Sequence, residues 1–409
     1  MNEFRKGWPI VLASVVGMML GISSLPFYTL GVFAKPIIRE FGWSRGQYQG
    51  AFMAMILGAA TAPLVGYLCD RFGVRRVALV SMVGFALGLA GIGLITSQTI
   101  TSFYLAWLFM AILAQGTGPL AWTRVISEWF SDQRGMALGI ALMGSGLTAF
   151  VAPPAVTALI AAVGWRDTYV ILGAVVLLIG WPVVWLLLRD EPGTFGPSRI
   201  AAARQSSRID LSLWLALRNY RFWVIALSFF IVAFGIAGVI SNLIPLLTDR
   251  GLAAGQAAKY ASTIGLSVIF GRVIVGYLVD RLWAPGVAFV VLALPALSCA
   301  GLAYAALGPM ATAGALVIIG FAAGAEFDVM AYLVARYFGL THYGKIYGVQ
   351  YAVFFFGAAL APAAFGGSYD AHKSYAFILG VAAAATLAAA ALLLTLGRYP
   401  SLQRAAKGA

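Results

Sequence analysis

Charge is scarce in this chain of 409 residues: Asp, Glu, Lys and Arg together make up 10%, against 62% hydrophobic residues. A soluble domain carries about a quarter of its residues as charges, so a water-soluble globular protein is excluded. Cysteine is scarcer still. The two thiols, Cys69 and Cys299, cannot build a disulfide framework and read as small core residues. Histidine is limited to His342 and His372, both in predicted loops, and there is neither a metal-spaced His/Cys set nor a phosphate-cradling loop. The chain is therefore not expected to be an enzyme, and neither a metal nor a cofactor is expected.

Long apolar runs are what the sequence has in abundance, with a mean hydropathy of +0.91. They run for about twenty residues without the period-two alternation of a barrel strand, and a spanning helix needs roughly 17–25 residues. Hydropathy predicts twelve spans, near 8–34, 47–69, 77–97, 101–126, 135–163, 167–189, 220–247, 255–279, 285–307, 309–335, 344–369 and 374–397. The opening Met1-Asn-Glu-Phe-Arg5-Lys6 and the apolar stretch after it look like a signal peptide only superficially. That stretch continues to about Ala34, beyond a signal's roughly 7–15 apolar residues, and is the first span.

Most of the 27 basic residues, Arg71, Arg75, Arg76, Arg124, Arg189, Arg218, Arg221 and Arg281 among them, fall on one side of these spans. The positive-inside rule then puts both termini of a multi-pass cell-membrane protein in the cytoplasm. It also accounts for the net charge of +13 without a nucleic-acid partner. The lipid bilayer is the expected partner, and a monomer the expected state. The longest polar interval, with Glu191-Pro-Gly, Gly196-Pro-Ser and Gln205-Ser-Ser, reads as a linker. It divides the chain into an N-terminal bundle 1–190, a cytoplasmic linker 191–218 and a C-terminal bundle 219–409.

The two halves repeat. Gly66-Tyr-Leu-Cys-Asp70-Arg71 returns as Gly276-Tyr-Leu-Val-Asp280-Arg281, and Gly42-Trp-Ser-Arg-Gly-Gln47 aligns with Gly251-Leu-Ala-Ala-Gly-Gln256. Trp129-Phe130 matches Tyr337-Phe338, Ala152-Pro153 matches Ala361-Pro362, and Ile171-Leu-Gly173 matches Ile378-Leu-Gly380. Five matches in order, at an offset of about 210 residues, indicate two parallel six-helix repeats, an architecture of secondary transporters. The expected fold class is an all-α membrane protein with twelve transmembrane helices in two six-helix pseudo-repeats.

The run Gly66-Tyr-Leu-Cys-Asp70-Arg71-Phe-Gly73-Val-Arg75-Arg76, between spans 2 and 3, resembles the loop signature of the major facilitator superfamily, and the resemblance covers essentially the whole chain. Small Gly66 and Gly73 would permit close backbone approach, while Asp70 can pair with basic groups or a helix N-terminus. Together with Arg71, Arg75, Arg76, Asp280 and Arg281 these residues form a candidate gating cluster. The plain alternative is a solvated turn with positive-inside charges. Arg124 and Glu128, four residues apart, belong with this charge cluster rather than with a substrate.

Arg272 stands in the middle of span 8, eight residues before Asp280. A permanent cation at such depth costs several kcal/mol unless it faces water, an acid or a ligand. With Gly271-Arg272-x-x-x-Gly276-x-x-x-Asp280-Arg281 and the span 10 element Glu326-x-Asp328-x-x-x-Tyr332-Leu-x-x-Arg336-Tyr-Phe-Gly339, the sequence is similar to the bacterial monocarboxylate transporters, near the oxalate/formate antiporters. The resemblance implies that Arg272 binds a substrate carboxylate, and a guanidinium in a dry cavity does offer a carboxylate a planar fork. A purely structural ion pair is the alternative. Two departures matter: animal monocarboxylate carriers have an aspartate where this chain has Val268, and a lysine at the position of Tyr28. Their proton relay therefore cannot be transferred.

Span 10 supplies replacements. Glu326 and Asp328 lie ten and eight residues before Arg336, roughly 12–15 Å from the inner boundary at about 1.5 Å per residue. Two residues apart, they point to different sides of the helix, so one of them should face Arg272; Glu326 is taken first and Asp328 second. A buried acid that pairs with Arg272 in the empty site and takes a proton when substrate displaces it would couple transport to protons. Otherwise the pair holds spans 8 and 10 together.

Span 11 carries Tyr347, Gln350, Tyr351, Phe354, Phe355 and Phe356, of which Tyr351 and Phe354 lie near mid-membrane and suit the organic part of a small acid. These aromatics could equally pack or face lipid. The oxalate carriers have a lysine in this span, whereas its only lysine here is Lys345 at the cytoplasmic mouth, which disfavours a dicarboxylate. From the first half, Tyr28 and Gln115 could complete the site or simply bond between helices. The expected function is secondary transport of a small monocarboxylate such as lactate or pyruvate by proton symport. A proton-independent anion exchanger is the alternative. A drug exporter is less favoured, because Glu3, Glu40, Asp70, Glu128, Asp132 and Asp167 all lie at predicted helix ends or loops.

Overall fold

The computed structural model describes residues 2–96, 99–130, 134–189, 211–305, 307–339 and 343–399. Most of the predicted linker, with the boundary it draws between the halves, falls outside them. Helix α1 (Asn2–Met19) and α2 (Leu25–Phe41) together make the first predicted span. The second is α3 (Arg45–Gly50), a 3-10 turn at Ala51–Met53, α4 (Ala54–Ala60) and α5 (Ala62–Phe72), and the third is α6 (Val74–Gly93). The fourth is α7 (Ile100–Leu113) and α8 (Pro119–Trp129), joined by a 3-10 turn at Gln115–Thr117. The fifth and sixth run through α9 (Arg134–Val175), a π turn at Val176–Gly180 and α10 (Trp181–Leu187). Gly164, at φ 83°, breaks α9 where the two predicted spans meet.

The second half is more regular. A short helix α11 (Leu213–Arg218) precedes α12 (Tyr220–Asp249), α13 (Ala254–Arg281), α14 (Ala284–Tyr304), α15 (Pro309–Phe338), α16 (Tyr343–His372) and α17 (Ala376–Leu393). Among the described residues, eight helical stretches are long and apolar enough to cross a membrane. One of them, Met136–Leu187, covers two predicted spans, and the three predicted spans missing from that set are the broken ones. The protein is thus an all-helical membrane protein of twelve spans. Val80, Leu105, Leu178, Phe270 and Leu297 are each more than half exposed, as a lipid-facing surface requires.

The helices form two compact units. Unit 1 comprises the described residues of 1–195, 238–269 and 362–375; unit 2 comprises those of 196–237, 270–361 and 376–409. In unit 1, Trp107 and Trp122 are wholly buried and Phe33 stacks on Tyr169 at 4.0 Å between centroids. In unit 2 the interior holds Phe222, Phe229 and Phe338.

Two breaks in unit 1 meet. Pro26 and Pro119 each stand in the first turn of a helix, α2 and α8, where a missing N–H costs nothing. Just before them, the Ile22 N–H donates to Thr117 Oγ1 at 3.1 Å, and the Thr117 hydroxyl donates to the Ala114 carbonyl at 2.7 Å. A threonine side chain thus satisfies backbone that the breaks leave open, the condition for irregular backbone at membrane depth.

Candidate functional site

In unit 2 the position of Arg272 follows from a close contact one residue earlier. A Cβ added at Gly271 would come within 2.1 Å of the Phe321 carbonyl oxygen, so only glycine lets the α13 and α15 backbones approach as they do. Arg272 is consequently held against α15 and is 8% exposed. Its Nε stands 3.7 Å from Asp328 Oδ2, within ion-pair range but beyond a hydrogen bond. Neither Nε nor Nη1 of Arg272 has a hydrogen-bond partner.

The two acids of α15 differ in kind. Asp328 keeps 31% of its side chain accessible, while Glu326 is enclosed at 7% with Oε2 unpartnered. The sequence placed Glu326 first as the partner of Arg272; in the structure Asp328 is the acid within ion-pair distance. The two-residue offset puts the acids on different sides of α15, and packing at Gly271 selects which side α13 meets. A guanidinium with unused donors beside an accessible carboxylate is a place where an incoming carboxylate can bind by exchanging partners.

Phe327, between the two acids, lies 4.5 Å from Phe354 and 5.8 Å from Tyr351 between ring centroids, and Tyr351 stacks on Phe355 at 6.2 Å. Tyr351 and Phe354 therefore pack on α15 at Phe327, a residue the sequence reading missed. Its place between two singled-out acids was the available signal. Gln350 and Phe356 are set apart: Gln350 is buried and donates to the Phe222 carbonyl at 2.9 Å, and Phe356 is 45% exposed and stacks on Phe230.

Tyr28 and Gln115 belong to unit 1. Tyr28 packs edge-on against Phe27 in α2, and Gln115 opens the 3-10 turn that breaks the fourth span. Of the loop signature, Gly73 sits at φ 87° between α5 and α6, a backbone angle that favours glycine. The reason offered for Gly66 is corrected: a Cβ there would meet nothing within 4 Å, and the same holds for its repeat counterpart Gly276. Asp70 lies in α5. The Arg71 guanidinium donates to Tyr67 Oη at 3.2 Å, and Arg75 Nη2 donates to the Trp185 carbonyl at 2.6 Å. Arg124 Nε pairs with Glu128 Oε1 at 3.0 Å. Asp280 and Arg281 are exposed at the end of α13, with Arg281 over the Tyr277 ring at 4.1 Å. Arg76 begins the same helix as Arg75.

A second polar assembly in unit 1 was not anticipated from the sequence. Asp370 of α16 accepts from the backbone N–H groups of Arg45 at 3.0 Å and Gly46 at 2.7 Å. The Arg45 side chain pairs with Asp249 at 2.7 Å and donates to Tyr375 Oη at 2.8 Å. Tyr375 and Gln49 both donate to Asn242 Oδ1, at 3.1 and 2.7 Å. The local signal was present in Ser44-x-x-Gln47, which forms a capping box at the start of α3.

Comparison with known proteins places these features in context. The model of the Major Facilitator Superfamily matches residues 16–362. The oxalate:formate antiporter of Oxalobacter formigenes is 27% identical over 376 residues, 88% of this chain and 83% of the antiporter. Human monocarboxylate transporter 11 is 27% identical over 288 residues, 68% of this chain and 58% of that transporter. A crystal structure of a bacterial homolog of the human lysosomal transporter Spinster, inward-facing and unoccupied, aligns with a TM-score of 0.71 at 20% identity, over 96% of this chain and 98% of that one. At that identity the likeness shows the fold.

Proposed function

The chain belongs to the major facilitator superfamily, and we propose that, as one of its transporters, it carries a small monocarboxylate of the lactate or pyruvate kind across the cell membrane by proton symport. The observation that carries this reading is Arg272, enclosed in unit 2 with Nε and Nη1 unpartnered and Asp328 3.7 Å away. In the empty carrier the charge of Asp328 opposes that of Arg272. A substrate carboxylate takes the free donors of Arg272, and Asp328, losing its counter-charge, accepts a proton. The loaded carrier then reorients by alternating access. Glu326, more enclosed, is the second candidate for that proton. Phe327, Tyr351 and Phe354 meet the organic part of the acid.

Both termini are assigned to the cytoplasm by the distribution of Lys and Arg. The Gly66–Arg76 segment and Asp280-Arg281 bias the conformational equilibrium rather than touch substrate. The identified relatives include carriers named for monocarboxylates and for oxalate and formate; the only lysine of span 11, Lys345, stands at its cytoplasmic mouth, which favours the monocarboxylate.

The test is uptake of labelled lactate, pyruvate, formate and oxalate into liposomes holding the purified protein, with and without an inward proton gradient. Accumulation of a monocarboxylate that requires the gradient is expected. Uptake that needs internal exchangeable acid and ignores pH would make the protein an exchanger. Transport of a cationic compound with no acid carried would overturn the reading altogether.

A further inference from the structure

The short helix α11 lies outside every span and shows water or lipid an apolar face. Trp214 is 76% exposed and Leu215 51%, while Ala216 is fully buried. Ser212 caps its start, accepting from the Leu215 N–H at 3.4 Å. One residue, Asn219, separates it from α12, whose first turn exposes Tyr220 and Trp223 by more than half. The Trp223 indole donates back to the Leu217 carbonyl at 2.9 Å, fixing α11 over the beginning of that span.

The level at which α11 sits is marked by neighbours in the same unit. Tyr220 Oη donates to the Thr395 carbonyl and Arg221 Nε to the Leu396 carbonyl, in the 3-10 turn Leu394–Leu396 that follows α17. The Leu211 N–H donates to the Phe338 carbonyl, at the end of α15. Around these helix ends, aromatic rings and guanidinium groups pair: Arg336 over Tyr399 at 4.4 Å, Arg221 over Tyr337 at 5.3 Å and Arg281 over Tyr277 at 4.1 Å. Tyrosine and tryptophan at span ends, with arginine beside them, mark the headgroup layer of a bilayer.

Charge at this end is one-sided. Arg218, Arg281, Arg336 and Arg398 are exposed, against the single described acid Asp280. An exposed Trp-Leu face continuous with a membrane span, set among arginines at headgroup level, matches a helix lying in the interface and binding anionic lipid. We infer that α11 is such a membrane-surface anchor: Trp214 and Leu215 enter the boundary of headgroup and acyl chain, and Arg218 takes the phosphate of an anionic lipid. The inference does not depend on the transported substrate.

The experiment uses the full chain with Cys69 and Cys299 replaced by serine and a nitroxide at Trp214→Cys, in bilayer discs of phosphatidylcholine with or without phosphatidylglycerol. The nitroxide is expected to be relaxed more by oxygen, which partitions into lipid, than by a water-soluble nickel chelate. The reverse would place α11 in water and overturn the anchor. Because that variant removes the proposed anchoring residue, a second measurement keeps Trp214: quenching by brominated acyl chains, compared between the unmodified protein and Trp214→Phe, should show a contribution from Trp214. Retention of phosphatidylglycerol over phosphatidylcholine through purification should fall about fivefold in Arg218→Gln. Equal retention in the two proteins would overturn the role of Arg218 in lipid selection.

Discussion

Arg272 and Asp328 face each other across α13 and α15 at 3.7 Å, close enough to share charge and too far apart to share a hydrogen. An engaged structural salt bridge would close to about 2.7–2.9 Å. The looser pair leaves two nitrogens of the guanidinium available, and the following outcomes are expected from that arrangement.

Arg272→Lys keeps the charge and should not restore transport. An ammonium is a point donor and cannot reproduce the planar fork that grips a carboxylate. Losing one charge-assisted hydrogen bond, worth about 1.5–3 kcal/mol, corresponds to at least a tenfold rise in the Kd of a labelled monocarboxylate. Equilibrium binding to the purified variant checks it; unchanged affinity would move recognition elsewhere.

Asp328→Asn should separate coupling from recognition. Without an acid to take the proton, accumulation driven by a pH gradient is lost, while exchange of labelled for unlabelled acid persists because it needs only reorientation of the loaded carrier. Glu326→Gln, at the enclosed position, should keep part of its gradient-driven uptake. Both variants are compared by net uptake and by exchange in the same liposomes. The assignment fails if well-folded Asp328→Asn still accumulates substrate against its gradient.

Gly271→Ala tests what seats the arginine. The new methyl group would meet the Phe321 carbonyl at 2.1 Å, so α13 must shift away from α15, at a cost of about 1–3 kcal/mol for overpacking. A lower melting temperature together with weaker substrate binding is expected. Gly276→Ala, where nothing lies within 4 Å, is the control and should melt like the unmodified protein.

Asp370→Asn should loosen the start of α3 within unit 1. The carboxylate accepts from two backbone N–H groups, on Arg45 and Gly46, and an amide offers only one acceptor to them. Loss of one such bond predicts amide exchange at these two residues faster by about tenfold. Hydrogen exchange read by mass spectrometry would show it, and unchanged protection there would mean that Asp370 does not hold the segment.

Hydropathy and charge are properties of short windows, and what depends on short windows was legible in the sequence. The spans, the membrane setting and the anomaly of Arg272 belong here, because the cost of a cation at hydrocarbon depth does not depend on which helices surround it. The Ser44-Gln47 capping box and the prolines that begin α2 and α8 are equally local. Breaks in the second and fourth spans were not read, since apolar composition continues through a broken helix and an unbroken one alike.

Partnership across the chain was decided by tertiary structure. Glu326 and Asp328 are equivalent to any window of sequence, and the contact of Gly271 with Phe321 determines that Asp328 stands before Arg272. Arg45 and Asp370 lie 325 positions apart, and neither residue's neighbours reveal the other. A helix presents several faces, and its sequence names the residues on each; which face meets which neighbour is set by backbone approach and side-chain volume, quantities that exist only once the helices have packed.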